Sequence, residues 1–379
     1  MRVLFTSPAS AGHLFPMVPT AQALRAAGHE VLFAASQPMD QIQGAGLPVT
    51  EIGDGTTIRD LFDRAGEDGR PISYVSPDRT QDEILDGAAV AFARLSRPTV
   101  DGLLAAATGW DADVLVYDSF QAAAPLVAAK LGIPSVVHNF GVTSGHAMVA
   151  RLAGNFTEAY ETYGVAGPAR PIALDVVPPS LGTGGDNDGW RVRYVPFNGG
   201  GVVPADLLHR AERPRIAVTL GTVLTQVDGV NSIVTLAEAA AGVDADFLFA
   251  VGGADLSALG ELPSNIKPLP WVPLAELLRV SDALVHHGGS GTMLTALAAG
   301  IPQLILPQGA DHFSNADAAV ASGFALRSSS AGVDGKLLSQ LLTDPALSTA
   351  AQRIQAENAA LPSPADLVAN FERLVAVRR

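Results

Sequence analysis

The feature that most constrains the fold is the order in which two kinds of segment recur. Short β-rich runs alternate with Ala- and Leu-rich stretches of helical length: "RVLFTS" (2–7), a helix from about Met17 to Ala27, "EVLFAAS" (30–36), a long helix near 81–107, "DVLVYDS" (113–119), a helix through Lys130, and "SVVHNF" (135–140). Strands this apolar are buried on both faces, and helices between them supply the long crossovers that parallel strands need. The second half restarts the pattern with "RIAVTLGT" (215–222), "DFLFAVGG" (246–253), "DALVHHGG" (282–289) and "PQLILPQ" (302–308). An α/β fold of two doubly wound parallel sheets is therefore expected. "KLGIPSVV" (130–137) and "AAGIPQLI" (298–305) sit at comparable places in the halves, each with a Gly to end a helix and Ile-Pro to open a strand.

At 379 residues the chain exceeds one ordinary core. The Gly-, Pro- and charge-rich stretch 199–214 reads as a linker between an N-terminal domain (1–198) and a C-terminal domain (215–362). The final stretch, "SPADLVANFERLVAVRR" (363–379), reads as an amphipathic helix that packs back on the N-terminal domain. Residues 53–80 are polar and turn-rich and read as a loop beside the ligand site.

The net charge of -14 argues against a nucleic-acid partner, because phosphate backbones are bound by Lys and Arg clusters. Without cysteine there is no disulfide, thiolate metal site or thiol nucleophile. The opening "MRVLFTSPASAG" is too weakly apolar for a signal peptide, and no apolar run approaches the roughly 20 residues that span a bilayer. A cytoplasmic protein is expected.

"VHHGGSGTML" (285–294) carries a strand through a Gly- and hydroxyl-rich loop into a helix that ends at Gly300. Amides at such a helix start carry positive partial charge, so Gly288, Gly289, Ser290, Gly291 and Thr292 can cradle an anion such as a diphosphate, with a further hydrogen bond from His287. The alternative is a tight turn in which Ser290 or Thr292 merely caps the helix. G-x-x-x-x-G-K-[ST] does not occur, nor does G-x-G-x-x-G after the first strand, which disfavours ATPases and ordinary NAD enzymes. "DAD" (111–113), "DND" (186–188) and "DAD" (244–246) stand before strands or in a Gly-rich loop, as solvated turns do, and no metal is expected. His138, His146 and His286 receive no role.

"PWVPLAELL" (270–278), "VHHGGSGT" (285–292) and "AGIPQLILPQGADHFSNA" (299–316) together resemble the donor-sugar signature of inverting GT-B glycosyltransferases, above all the bacterial enzymes that decorate antibiotic aglycones. "GHLFP" (12–16), "PPSL" (178–181) and "RYVPFNG" (193–199) extend the resemblance over essentially the whole chain. It implies two Rossmann-like domains facing across a cleft. It implies His13 as the general base and Asp118 as its carboxylate partner, although Asp118 also reads as a helix N-cap with Ser119. Gly12 beside the base is counted with the donor contacts. The nucleobase would rest on Trp271 and bond the backbone near Val272, Gly221 and Thr222 would lie near the diphosphate, and Asp311 would bond the sugar hydroxyls. His312 stands where the family usually has Gln.

Relatives that use UDP-sugars commonly place a Glu at the position of Thr295 to bond the ribose hydroxyls. A carboxylate there has no 2′-hydroxyl to accept from if the nucleotide is dTDP, so Thr295 points to a dTDP-activated deoxysugar. The resemblance implies no cofactor beyond this dTDP-sugar co-substrate. The acceptor is expected to be an apolar aglycone held by 53–80 and "FGVTSGHAMVARLAGNF" (140–156), and a homodimer is compatible with the frame. Two other functions fit the same frame: a nucleotide-sugar epimerase, and a non-catalytic nucleotide-sugar-binding partner protein.

Overall fold

The computed structural model describes residues 1–58, 60, 80–182, 189–220, 229–252, 262–309 and 311–377. They form two compact units, one of Met1–Tyr194 with Leu361–Arg379 and one of Val195–Ala360.

The first unit is built on a parallel sheet of β1 (Arg2–Thr6), β2 (Glu30–Ala35), β3 (Val49–Glu51), β4 (Val114–Asp118), β5 (Ser135–His138), β6 (Ile172–Asp175) and β7 (Trp190–Arg191), in the order β3-β2-β1-β4-β5-β6-β7. Val3, Leu4 and Phe5 of β1 and Val114, Leu115 and Val116 of β4 are all fully buried, as a sheet covered on both faces requires. The chain steps outward from β1 to β3, then returns to β4 and steps outward the other way. At that reversal no crossover covers the C-terminal ends of β1 and β4, which leaves a crevice for ligands.

The expected long helix near 81–107 is two helices, Gln81–Ser96 and Val100–Gly109, with a 3-10 turn at Arg97–Thr99 between them. Pro98 lies in that turn and cannot donate the amide a continuous helix needs. Thr80 and Glu83 form a capping box on the first of them. Gly132 ends its helix in the left-handed conformation at φ 62, and Gly300 does the same at φ 71. The last helix, Val368–Ala376, belongs to the first unit: Phe371 is fully buried with its ring 4.9 Å from Trp190, and Glu372 lies 3.2 Å from His29.

The second unit holds a parallel sheet of β8 (Arg215–Thr219), β9 (Asp246–Ala250), β10 (Ile266–Leu269), β11 (Ala283–His286), β12 (Gln303–Ile305) and β13 (Ala325–Arg327), ordered β10-β9-β8-β11-β12-β13. Its reversal lies between β8 and β11. The stretch read as a linker runs within this unit. Leu207 is buried in a cluster with Leu248, Leu269 and Leu277, and the Asn198 side chain accepts from the Ala275 amide at 2.9 Å. Among the described residues no helix is long and apolar enough to cross a membrane.

Candidate active site

His13 rides on the short helix Ala11–Leu14 just beyond β1, and Asp118 is the last residue of β4. Because β1 and β4 are neighbours, two residues 105 positions apart meet, with His13 Nδ1 3.1 Å from Asp118 Oδ1. The Asp118 carboxylate is fully buried, and the same oxygen accepts the Phe120 amide at 2.8 Å. The next helix begins at Ala123 with Ala122 in the cap position, so Asp118 is no helix cap: it holds the turn and the imidazole together. A carboxylate that accepts from Nδ1–H leaves Nε2 as the nitrogen able to take a proton, and stabilises the ring once it is charged.

Three phenylalanines wall the imidazole, Phe92 and Phe120 at 5.4 Å and Phe140 at 4.8 Å between ring centroids. Of the stretch expected to meet the acceptor, Phe140 thus reaches His13, while Met148, Val149, Leu152 and Phe156 are buried in the core of the first unit. Of the other expected acceptor stretch, 53–80, residues 59 and 61–79 lie outside the described residues. His138, opposite Asp118 in the sheet, is buried, donates from Nδ1 to the Asn139 carbonyl and lies 3.2 Å from Thr20 Oγ1. Burial pushes its pKa down to about 4, so it stays neutral and adds no positive charge beside Asp118. Gly12 is exposed, with open space where a Cβ would stand.

In the second unit β11 ends at His286 and the helix Ser290–Ala299 begins after two glycines. Gly288 adopts φ 100, which a side chain would strain. Gly289 has an ordinary φ of -61, yet a Cβ there would lie 2.5 Å from His287 Nε2, so this glycine makes room for the imidazole. The helix has Gly289 as its cap residue and no side-chain cap bond, which sets aside capping by Ser290 or Thr292. Ser290 Oγ instead donates to Asp311 Oδ2 at 2.6 Å, and Asn315 Nδ2 lies 2.8 Å from the same oxygen. One expected cradle member is turned away: the Gly288 amide donates to His286 Nδ1 at 3.1 Å. The amides free of such a bond to His286 could face an anion only from beyond Gly288, at the first turn of the helix.

His287 and His312 pack edge to face at 4.8 Å. Burial, with the neighbouring His312 and His286, holds His287 well below the usual histidine range. His312 is itself buried and likewise pushed down by burial against the pull of Asp311. Its backbone and Cβ lie against Gly288, the Cβ 3.0 Å from where a Cβ on that glycine would stand. Trp271 is 45% exposed and donates from Nε1 to the Gly200 carbonyl at 3.1 Å, while Val272 is buried in the core. Thr295 is buried; its hydroxyl donates to the Gly291 carbonyl at 2.6 Å and accepts from Asn198 Nδ2 at 3.3 Å. Gly221 and Thr222 lie outside the described residues.

The paired aspartates face arginines. Asp111 bonds the Arg2 side chain at 3.2 Å and Asp113 accepts the Arg2 amide at 2.8 Å. Asp244 and Asp246 both meet Arg213, at 3.2 and 2.8 Å, and 186–188 lie outside the described residues. Among the described residues no group of three or more His, Asp or Glu side chains is arranged to hold a metal ion.

Comparison with known proteins places these features in a family. The N-terminal domain of the erythromycin biosynthesis protein CIII-like family matches residues 22–221, and its C-terminal domain matches residues 234–374. The chain belongs to this family. It is a glycosyltransferase with the GT-B fold. The CIII-like chain is 39% identical to the elloramycin glycosyltransferase ElmGT of Streptomyces olivaceus over 98% of its own length and 97% of that relative. The crystal structure of the glycosyltransferase SnogD from Streptomyces nogalater superposes with a TM-score of 0.86 at 36% identity, covering 99% of both chains. That of SsfS6 from Streptomyces sp. SF2575, solved with thymidine diphosphate, gives 0.84 at 28% identity over 98% of this chain and 99% of that one.

Sequence reasoning missed three groups of residues in this CIII-like glycosyltransferase. Phe92 and Phe120 carried no motif, although Phe120 follows Asp118 by two residues. Asn198 and Asn315, which tie down Thr295 and Asp311, look in sequence like ordinary turn and helix residues. The anchoring of Gly288 by His286 depends on a lone-pair direction that no spacing reveals.

Proposed function

We propose that this CIII-like glycosyltransferase moves a sugar from a dTDP-sugar to a hydroxyl of a small apolar natural-product aglycone by a single inverting displacement. The carrying observation is the His13–Asp118 pair, 3.1 Å apart at the switch point of a doubly wound sheet and walled by phenylalanines. The acceptor O–H gives its proton to His13 Nε2 while the oxygen forms its bond to the anomeric carbon. The bond from that carbon to the diphosphate oxygen breaks, and the nucleoside diphosphate leaves with the electron pair. Asp118 holds the imidazole in place and offsets its new charge. The first turn of Ser290–Ala299, with His287, faces the charge that develops on the diphosphate. Trp271 offers an exposed ring to the base, and Asp311, fixed by Ser290 and Asn315, is set to bond sugar hydroxyls.

Two observations support dTDP as the carrier: SsfS6 binds thymidine diphosphate, and Thr295 offers no carboxylate to a ribose 2′-hydroxyl, its own hydroxyl being engaged with Gly291 and Asn198. The reaction needs no metal on this reading, since the helix start supplies the diphosphate site and the described aspartate pairs face arginines. Competition calorimetry with dTDP, dUDP and UDP tests the donor. Omission of the 2′-hydroxyl should strengthen binding about tenfold, so that dUDP resembles dTDP more than UDP. UDP binding as tightly as dTDP would reject the carrier while leaving the transferase intact.

A further inference from the structure

His286, the first histidine of "VHHGG", takes no part in the chemistry above, yet it and its partner Gln303 are fully buried. His286 ends β11 and Gln303 opens the adjacent β12. Their hydrogens can be placed by elimination. Gln303 Nε2 lies 3.1 Å from the Met293 carbonyl oxygen, which can only accept, so the amide nitrogen faces Met293 and the amide oxygen faces His286. That oxygen, 2.8 Å from His286 Nε2, requires a hydrogen on Nε2. A neutral imidazole carries one such hydrogen, so Nδ1 keeps a lone pair, and the Gly288 amide donates to it at 3.1 Å. Burial, outweighing the Gln303 bond, pushes the His286 pKa down to about 3, which keeps the ring neutral. On its other side the Gly288 carbonyl accepts from Asn315 Nδ2 at 2.8 Å. The peptides flanking Gly288 are thus held from β12 through His286 and from the helix His312–Ala321 through Asn315.

We propose that His286, locked by Gln303 in the tautomer with hydrogen on Nε2, is a positioning residue for donor binding: its Nδ1 anchors the Gly288 amide and so sets how His287 and the first turn of Ser290–Ala299 face the diphosphate. This rests on the reading that the loop binds the diphosphate. The physical reason is that consecutive glycines are the most mobile backbone available, and every conformation they would have to surrender on binding weakens affinity. Anchoring Gly288 in the free protein removes that loss from the binding step. It also explains why one donor is turned away from the cradle: its bond sets the direction of the others.

Two substitutions separate the ring's nitrogens. His286→Asn places a carbonyl oxygen near the position of Nδ1 and can still accept from Gly288. His286→Gln reaches the position of Nε2 and donates to Gln303, but leaves the Gly288 amide without its acceptor. With thymidine diphosphate as probe, the Asn variant should bind within about threefold of wild type and the Gln variant about tenfold more weakly. If His286 only filled space, the larger Gln would be the better replacement; equal affinities, or tighter binding by Gln, overturn the proposal. Nitrogen-15 NMR of histidine-labelled wild-type protein tests the arrangement without any variant. Nε2 should be protonated and Nδ1 bare at neutral pH, and a ring protonated on Nδ1 overturns the proposal. The expected tautomer in a wild-type protein that binds no thymidine diphosphate would instead reject the functional reading, and the positioning role with it.

Discussion

Asp118→Asn separates the two tasks that the structure gives one carboxylate. Asp118 Oδ1 accepts both from His13 Nδ1 and from the Phe120 amide, and an asparagine oxygen in the same place can accept both bonds. What it loses is the charge. A unit charge pair 3.1 Å apart is worth about 5 kcal/mol at an effective dielectric constant of about 20. This is a ceiling, since the His13 side chain keeps 15% of its exposure. A transition state in which the imidazolium is half formed draws on about half of it, so kcat should fall about 100-fold. Nucleotide affinity should be unchanged, because the diphosphate site proposed above is built from other residues. Asp118→Ala also strips the Phe120 amide of its partner, which costs about 1–3 kcal/mol for a buried donor, so only this variant should melt several degrees lower. Steady-state kinetics at saturating donor, with thermal melts of both variants, make the comparison. If Asp118→Asn turns over within about threefold of wild type while Asp118→Ala is destabilised, the carboxylate merely holds a turn and the proposed pairing is wrong.

His13→Asn should lower kcat by roughly 100-fold or more with little change in nucleotide affinity, and undiminished turnover would exclude His13 as the base. Gly289→Val places a side chain where His287 Nε2 now lies, so calorimetry should show nucleoside diphosphate binding weakened about tenfold, as for His287→Ala; unaltered affinity in both would remove this loop from the donor site. Acid should destabilise the protein before its carboxylates titrate. His138 and His286 have folded pKa values of about 4 and about 3, below the ordinary 6.5, so the unfolded chain binds more protons in that window. Their stabilising contribution is complete above about pH 6.5 and shrinks as pH falls toward the folded values. By pH 5 each costs about 2 kcal/mol, and urea midpoints that stay constant from pH 7.5 to 5 would show that these rings are not held neutral.

The sequence alone determined the α/β class and most of the central strands, because strands covered on both faces must be apolar throughout, and a glycine followed by Ile-Pro marks a helix end and a strand start in one stroke. It missed β3, β6, β7, β10 and β13, which are two to four residues long or, like Ile266–Leu269, interrupted by Lys and Pro, too little to show a period. The family was legible for a related reason: the resemblance is carried by contiguous stretches such as "VHHGGSGT" (285–292), which can be read without knowing what packs against them. Only the tertiary structure decided what each polar atom does. It joined Asp118 to His13 through the adjacency of β1 and β4, removed Ser290 from capping duty to hold Asp311, buried His312 under Gly288 and turned the Gly288 amide toward His286. A hydrogen bond depends on direction and on the hydrogens and lone pairs its partners still have to offer, and these are settled only when strands and helices distant in the chain pack side by side.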